Sequence, residues 1–177
     1  MTHPILGLVG PSGAGKTALI LAMRERFPEQ TSILKSLTTR ACRDDQDALF
    51  YEFVSVDELR AREHKGQLVQ VSEYAGNLYA HDRIHLEQAT TQGIALCAIV
   101  EHGVLALRAA GYDIRTIQLI PTHAAHLVRD EPTRIQADAA RAALITHHDF
   151  TLTNDFRTGG WKTTMAHMAE IVESLIQ

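Results

Sequence analysis

The sequence predicts an α/β fold in which a core parallel sheet carries helices on both faces. Short apolar segments alternate along the chain with amphipathic ones, which is typical of strands connected by helices. The segment at 94–100, IALCAIV, is apolar throughout, as expected for a strand covered on both faces. A polar, mixed segment at about 35–81 interrupts the alternation, and we interpret it as a small inserted subdomain.

Each predicted strand is a short run rich in apolar or β-branched residues and bounded by polar or turn-forming residues. The first run is followed at once by a glycine-rich loop, and Gly76-Asn77 marks a turn after the fourth. The predicted strands occupy residues 4–9, 33–36, 49–56, 68–74, 94–100, 114–120 and 150–153.

The predicted helices follow the apolar spacing of three and four residues. Ser55 and Glu58 have the spacing of a capping box, which predicts a helix that opens there and ends near Gly66. Pro28 and Gly93 are stop signals for two other helices. The last helix carries an apolar stripe that is expected to pack on the core, formed by Trp161, Met165, Met168, Val172 and Leu175. The predicted helices cover residues 17–26, about 55–66, 82–92, 104–110, 124–129, 135–145 and 161–176.

The composition indicates a single globular domain. The chain has 177 residues, and its net charge of −4 argues against a general electrostatic attraction to nucleic acid or anionic membrane. Cys42 and Cys97 are far apart, which excludes a disulfide scaffold and a paired-cysteine zinc motif, and the ten histidines form no convincing ligand set. The N-terminus lacks the pattern of a signal peptide and no apolar run is long enough to span a bilayer, so we expect a cytoplasmic location.

The strongest motif is GPSGAGKT at residues 10–17, which matches G-x-x-x-x-G-K-[ST] between a buried strand and a helix. Its glycines allow backbone N–H groups to surround phosphate oxygens, and the helix N-terminus adds partial positive charge. Lys16 would supply a charge for the β- and γ-phosphates, and the Thr17 hydroxyl would ligate Mg²⁺. The motif therefore predicts ATP and Mg²⁺ as cofactors. The predicted phosphate contacts are Gly10, Ser12, Gly13, Ala14, Gly15, Lys16 and Thr17.

A second cluster of phosphate-binding residue types lies in the polar segment. Arg40 and Arg43 follow several hydroxyl residues in SLTTRACR, and Tyr51 comes soon after. Arginine forks bind phosphate through two parallel bonds, and a tyrosine can donate to the same group. The residues fit a clamp for a second phosphorylated molecule, and they equally fit a solvated loop.

Five sequence blocks resemble the guanylate kinases and occur in that family's order: GPSGAGKTAL, SLTTRACR, YEFVSVDEL, EYAGNLYAHD and HHDFTLTND. The resemblance implies a P-loop nucleoside monophosphate kinase-like fold and Mg²⁺-dependent transfer of the ATP γ-phosphoryl group to a nucleotide acceptor, GMP. It also implies one domain at 1–177, with a core at 1–34 and 82–177, an acceptor-binding subdomain at about 35–81 and a short lid at about 127–141. The acceptor-binding residues that it implies are Ser36, Arg40, Arg43, Tyr51, Gln70, Tyr79 and Glu101.

The base-reading position departs from the family pattern. Guanylate kinases read guanine with a glutamate that accepts from both N–H groups on the base edge, and this chain has Gln70 there. A glutamine offers one acceptor and one donor, so one donor would face a donor of guanine. Glu73 is three positions further on and faces the opposite side of a regular strand. We therefore predict an altered base preference as an alternative, with uracil, hypoxanthine or adenine better matched to Gln70.

Two further departures concern the end of the strand at 94–100 and the lid. Glu101 follows that strand where the family usually carries an aspartate. The family also needs two lid arginines that close over the transferring phosphoryl group. Arg134 and Arg141 are the preferred candidates, because a spacing of seven places them on one face of a helix. With Lys16 they complete the predicted catalytic set.

Two other interpretations remain. The stretch ARAALITHHDFTLTND resembles the corresponding part of the ribose 1,5-bisphosphate phosphokinases, which have no base to read. The second interpretation is a catalytically weak nucleotide-binding or scaffold domain. Scaffolds of this type usually have a degraded phosphate loop, whereas the loop at residues 10–17 is complete.

Overall fold

The computed structural model describes residues 2–122, 144–145, 147–155 and 159–176. The chain alternates strands and helices in the order β1 (Ile5–Val9), α1 (Lys16–Arg26), β2 (Thr31–Ile33), β3 (Ser36–Thr38), α2 (Asp47–Phe50), β4 (Tyr51–Phe53), α3 (Val56–His64), β5 (Leu68–Tyr74), β6 (Asn77–Asp82), α4 (Arg83–Gln92), β7 (Ile94–Ala98), α5 (Glu101–Ala109), β8 (Ile114–Pro121), β9 (Phe150–Asn154) and α6 (Gly160–Ile176).

The core is a parallel five-stranded sheet in the order β2-β7-β1-β8-β9. In the central strand β1, Ile5 pairs with Ala95 of β7 on one side and with Ile114 of β8 on the other. Every residue of β1 is buried, which explains why its sequence is apolar throughout. The predicted parallel sheet is therefore confirmed.

Helices cover both faces of this sheet, as predicted. Leu6 and Leu8 pack on one face with α1 and α6, and Ile5 and Val9 pack on the opposite face with α4 and α5. The predicted stripe of α6 is part of the first layer, because Met168 and Val172 are fully buried and the other three stripe residues pack partly buried against the same cluster. The two layers fix the carboxyl ends of the strands, where ligands bind in open α/β sheets.

A second, smaller sheet has the order β4-β3-β6-β5 and is built from residues 36–82. β3 pairs in parallel with β4, whereas the β3–β6 and β5–β6 pairs are antiparallel. It has its own small apolar cluster, to which Leu37, Leu59, Leu68 and Ala80 contribute. Helix α3 packs here, and its N-cap follows the predicted spacing, since Ser55 Oγ accepts from the Glu58 N–H at 3.1 Å.

Three element predictions were wrong in detail. The strand predicted at 33–36 is the crossing between two sheets, because β2 ends at Ile33 and β3 begins at Ser36. The strand predicted at 49–56 starts with the one-turn helix α2, whose first N–H, at Asp47, is accepted by Asp44 Oδ1 at 3.0 Å. Strand β6 was not predicted, since its sequence NLYAHD is mostly polar.

The remaining predicted helices match α1, α3, α4, α5 and α6, although α5 begins at Glu101, earlier than predicted. The helices predicted at 124–129 and 135–145 and the lid predicted at 127–141 fall outside the described residues, apart from 144–145. Within the described ranges, no helix has the length and apolar character needed to cross a membrane.

Candidate active site

The glycine-rich loop at residues 10–17 connects the carboxyl end of β1 to the first turn of α1. Gly15 is the N-cap of α1 and has a left-handed backbone with φ of 94°, a conformation that favours glycine. Gly10 packs closely against β8, because a Cβ there would lie 2.5 Å from the Leu119 carbonyl oxygen. These two glycines let the loop form a concave backbone turn at the positive end of a helix, which is a ready-made anion site.

The side-chain ammonium group of Lys16 folds back onto this loop. Its Nζ donates to the carbonyl oxygens of Gly10 at 2.7 Å and Pro11 at 2.8 Å. The ammonium group therefore lies at the rim of the concave turn, where the four-carbon stem allows it to swing to a phosphate oxygen.

Asn154, at the end of β9, anchors the loop through a hydrogen bond. Its Nδ2 donates to the Ala14 carbonyl oxygen at 2.8 Å, and the side chain is fully buried. We did not single out this residue from the sequence, although it lies in the quoted block HHDFTLTND. The bond spans 140 positions of the chain, so no local pattern reveals it. It fixes the loop against the far strand of the parallel sheet.

The loop opens into a cleft of about 440 Å³ between the two sheets. Ser36 on β3, Tyr51 on β4, Gln70 on β5 and Tyr79 on β6 line its far side. The structure thus brings two sets of predicted residues to one cleft. The predicted residues that line it are Gly10, Ser12, Gly13, Ala14, Gly15, Lys16, Thr17, Ser36, Arg40, Arg43, Tyr51, Gln70 and Tyr79.

Arg40 and Arg43 form a cationic part of this lining. Arg40 Nη1 donates to Asp47 Oδ2 at 3.0 Å, and its guanidinium carbon lies 5.0 Å from the centroid of the Tyr51 ring. Arg40 Nη2 is buried and has no hydrogen-bond partner among the described residues. Because a buried guanidinium nitrogen is costly to leave unpaired, this atom is suited to donate to an anion in the cleft. Tyr51 and Tyr79 pack edge to face with centroids 6.2 Å apart.

The opposite part of the lining is polar and uncharged. Gln70, Ser72 and Tyr74 alternate along β5 and all face the cleft, whereas Glu73 is exposed and absent from the lining. This agrees with the predicted orientation of Glu73. Gln70 Oε1 is buried and has no partner among the described residues. Burial lowers the pKa of His81 to about 4, so its imidazole is neutral at pH 7.

Comparison with known proteins decides the family. The family model described as guanylate kinase matches residues 2–174. The chain belongs to the guanylate kinase family. A guanylate kinase of Thermosynechococcus vestitus is 35% identical over 125 residues, which cover 70% of this chain and 65% of that protein. A guanylate kinase of Vibrio parahaemolyticus is 31% identical over 159 residues, which cover 82% of this chain and 77% of that protein.

The fold is shared as well. The crystal structure of guanylate kinase from Anaplasma phagocytophilum has a TM-score of 0.71 at 21% identity, over 98% of this chain and 86% of that one. The predicted fold class, a P-loop nucleoside monophosphate kinase-like α/β fold, is therefore confirmed. So is the resemblance to the guanylate kinase family seen in the five sequence blocks.

Among the described residues, one predicted site residue of this guanylate kinase family member, Glu101, is absent from the cleft lining. Glu101 is buried at the first residue of α5 and does not line the cleft, whereas the preceding Val100 does. Arg134 and Arg141 lie outside the described residues.

Two cleft features were missed by reasoning from the sequence. His81 lines the cleft, and its Nδ1 lies 3.5 Å from Ser36 Oγ. Asp47 lies behind the arginines and bonds both of them, although the sequence placed it in a polar loop. The signal that was available for Asp47 was its spacing of four residues from Arg43, which suits an ion pair.

Proposed function

We propose that this protein transfers the γ-phosphoryl group of ATP to the phosphate of a nucleoside monophosphate, in the first place GMP, giving ADP and GDP. The observation that carries the proposal is that one cleft joins a complete phosphate loop to a pair of arginines. A donor phosphate site and an acceptor phosphate site in one cavity are what phosphoryl transfer between two nucleotides requires. The family of the chain supports the same conclusion.

The donor half of the cleft fits the phosphates of ATP and its Mg²⁺. The loop's backbone N–H groups and Lys16 surround a concave turn, and Thr17 lines the cleft in the first turn of α1. Thr17 would hold the Mg²⁺, which when bound neutralises developing charge on the transferred group. Lys16 would exchange its bonds to the loop carbonyls for bonds to phosphate oxygens.

The acceptor half fits a phosphate monoester. Arg40 presents a buried Nη2 without a described partner, and the exposed Arg43 guanidinium, bonded to Asp47 through Nε and Nη2, lies beside it. Tyr51 and Tyr79 line the same cleft, and a tyrosine hydroxyl can donate to a phosphate oxygen. We therefore assign the acceptor phosphate to these four residues and the acceptor base to Ser36 and Gln70. The small sheet of residues 36–82 would then be the acceptor-binding subdomain, within a single domain.

The reaction needs no covalent enzyme intermediate. An oxygen of the acceptor phosphate forms a bond to the γ-phosphorus of ATP, while the bond from that phosphorus to the bridging oxygen of ADP breaks. Rate enhancement then comes from placement and from cations around the transferred group. Arg134 and Arg141 remain the proposed lid arginines that would close the site.

The test is an ADP-release assay with Mg-ATP and a panel of acceptors: GMP, dGMP, IMP, UMP, AMP and ribose 1,5-bisphosphate. We expect turnover with a nucleoside monophosphate, with GMP as the leading acceptor. Turnover with ribose 1,5-bisphosphate alone would replace the proposal with the sugar phosphokinase alternative. Bound ATP without turnover on any acceptor would replace it with a binding role.

Gln70 gives a specific prediction about the base. A carboxylate at this position would accept from both the N1–H and the exocyclic amino group of guanine. The side-chain amide of Gln70 has one acceptor and one donor group, so its NH2 would face one of these guanine donors. Gln70→Glu is therefore expected to raise the ratio of kcat/KM for GMP over that for IMP, by roughly 5- to 100-fold, since a mispaired buried donor costs about 1–3 kcal/mol. The measurement is the two specificity constants in each variant.

Gln67→Glu is the matched control, because Gln67 is exposed and lies outside the cleft lining. This control is expected to leave the GMP/IMP ratio unchanged. If Gln70→Glu also leaves the ratio unchanged, Gln70 does not contact the base edge.

A further inference from the structure

One buried acidic side chain behind the acceptor arginines forms hydrogen bonds with both of them. Asp47 Oδ2 accepts from Arg40 Nη1 at 3.0 Å, from the Arg43 backbone N–H at 2.9 Å and from Arg43 Nε at 3.2 Å. Its Oδ1 accepts from Arg43 Nη2 at 3.0 Å. Two arginines that both line the cleft are thus bound to one carboxylate that does not line it.

This carboxylate is fixed before any ligand arrives. Asp47 is the first residue of the one-turn helix α2, and its own N–H is held by Asp44 Oδ1 at 3.0 Å. Its side chain is 7% exposed, against 58% for Arg43. The exposed Arg43 guanidinium is therefore held by a buried carboxylate, which lowers the side-chain entropy that Arg43 loses when it binds a phosphate.

Asp47 also separates two like charges. Arg40 and Arg43 lie close enough that each cation opposes the other, and a carboxylate between them offsets this repulsion. Its bonds to the two arginines and to the Arg43 N–H hold the pKa of Asp47 well below its usual range, so it is ionised at neutral pH.

The bonds to Asp47 also leave a defined part of the Arg40 guanidinium for a ligand. Arg40 uses Nη1 for Asp47 and for the Ala41 carbonyl oxygen, and its Nη2 has no described partner. The Tyr51 ring also contacts that guanidinium, with its centroid 5.0 Å from the guanidinium carbon. The contacts with Asp47 and Tyr51 therefore restrict where Arg40 Nη2 can point.

We propose that Asp47 is a positioning residue that preforms the acceptor-phosphate site by holding Arg40 and Arg43 as one unit. The proposal rests on the proposed function, because it takes the two arginines to be the binders of the acceptor's phosphate. Asp47 acts through the arginines and touches no substrate. Removing its charge should therefore weaken acceptor binding while leaving the ATP half of the cleft unchanged.

The experiment compares wild-type protein with Asp47→Asn, Asp47→Glu and the control Asp45→Asn. Asp45 lies in the loop just before α2, is exposed and does not line the cleft. The measurements are KM for GMP, KM for ATP and the affinity for inorganic phosphate, each well below the melting temperature of the variant. For Asp47→Asn we expect KM for GMP to rise by about tenfold or more, with KM for ATP within about twofold of wild type.

Asp47→Glu keeps the charge and is expected to restore part of the loss, whereas Asp45→Asn should match wild type. Unchanged KM for GMP in Asp47→Asn would overturn the proposal. So would an equal loss of GMP and ATP use together with a lower melting temperature, since that outcome indicates a structural role only. A wild-type protein without turnover on any nucleotide would refute the proposed function instead. The Asp47 assignment would then be decided by phosphate affinity, which should fall in Asp47→Asn but not in Asp45→Asn.

Discussion

Lys16→Ala is expected to lower kcat for phosphoryl transfer by about 10²–10³-fold, which is typical of losing one electrostatic contact to the transition state. Lys16 is the cation of the phosphate loop, and its Nζ lies over the loop at 2.7 Å from the Gly10 carbonyl oxygen. Charge develops on the transferred phosphoryl group and on the leaving ADP, so a cation at this position stabilises the transition state more than the bound substrates. The measurement is kcat at saturating Mg-ATP and GMP.

Lys65→Ala is the matched control for Lys16→Ala. Lys65 is exposed at the end of α3 and does not line the cleft, so its loss is expected to leave kcat unchanged. A Lys16→Ala variant that stays folded and keeps wild-type kcat would show that the loop is not the donor phosphate site.

Arg40→Ala is expected to raise KM for the acceptor by roughly 10- to 100-fold, since a hydrogen bond to a charged group contributes about 1.5–3 kcal/mol. KM for ATP should change by no more than about twofold, because Arg40 faces the other half of the cleft. Arg40→Lys keeps the charge but not the planar fork, so an intermediate KM is expected. The measurement is a pair of titrations, in which each substrate is varied at a saturating level of the other.

The control for Arg40→Ala is Arg60→Ala on α3, where the arginine pairs with Glu63 and lies outside the cleft. It removes the same charge from the small subdomain without touching the proposed phosphate site. Equal loss of ATP and acceptor binding in Arg40→Ala would contradict the division of the cleft into two halves.

Sequence reasoning succeeded where the signal is contiguous. The phosphate loop is eight consecutive residues between a strand and a helix, and Gly10 and Gly15 have the backbone geometry that the motif requires. The buried parallel strands carry their signal in the same way, since β1 and β7 are apolar along their whole length. These segments fix the core fold and one half of the cleft.

The sequence predicted less where the contacts join distant segments. The strand predicted at 33–36 is apolar at Ile33 and Leu34, but nothing local indicates that the chain passes there from one sheet to another. Strand β6 has a mostly polar sequence, and its position in the small sheet depends on hydrogen bonds to its neighbours β3 and β5. Asn154 contacts a loop 140 residues away. Such features depend on the assembled fold, so sequence periodicity does not reveal them.

In the acceptor half of the cleft, three lining residues were predicted from the sequence and the acidic residue behind them was not. Arg40, Arg43 and Tyr51 were predicted from residue type, and all three line the cleft. Asp47 was not singled out, because it lies among polar residues that the sequence gives no reason to bury. Its burial depends on the short helix α2, in which Asp44 Oδ1 accepts from the Asp47 N–H and Phe50 packs into the core.

The central claim is that the cleft delivers the γ-phosphoryl group of ATP to an acceptor's phosphate. It is tested most directly by incubating the protein with Mg²⁺, GMP and ATP labelled in the γ-phosphoryl group, and by separating the products. We predict label in the β-phosphate of GDP, with little in inorganic phosphate and none in the protein. Label that appears only in inorganic phosphate, or that stays in ATP while ATP is bound, would contradict the account.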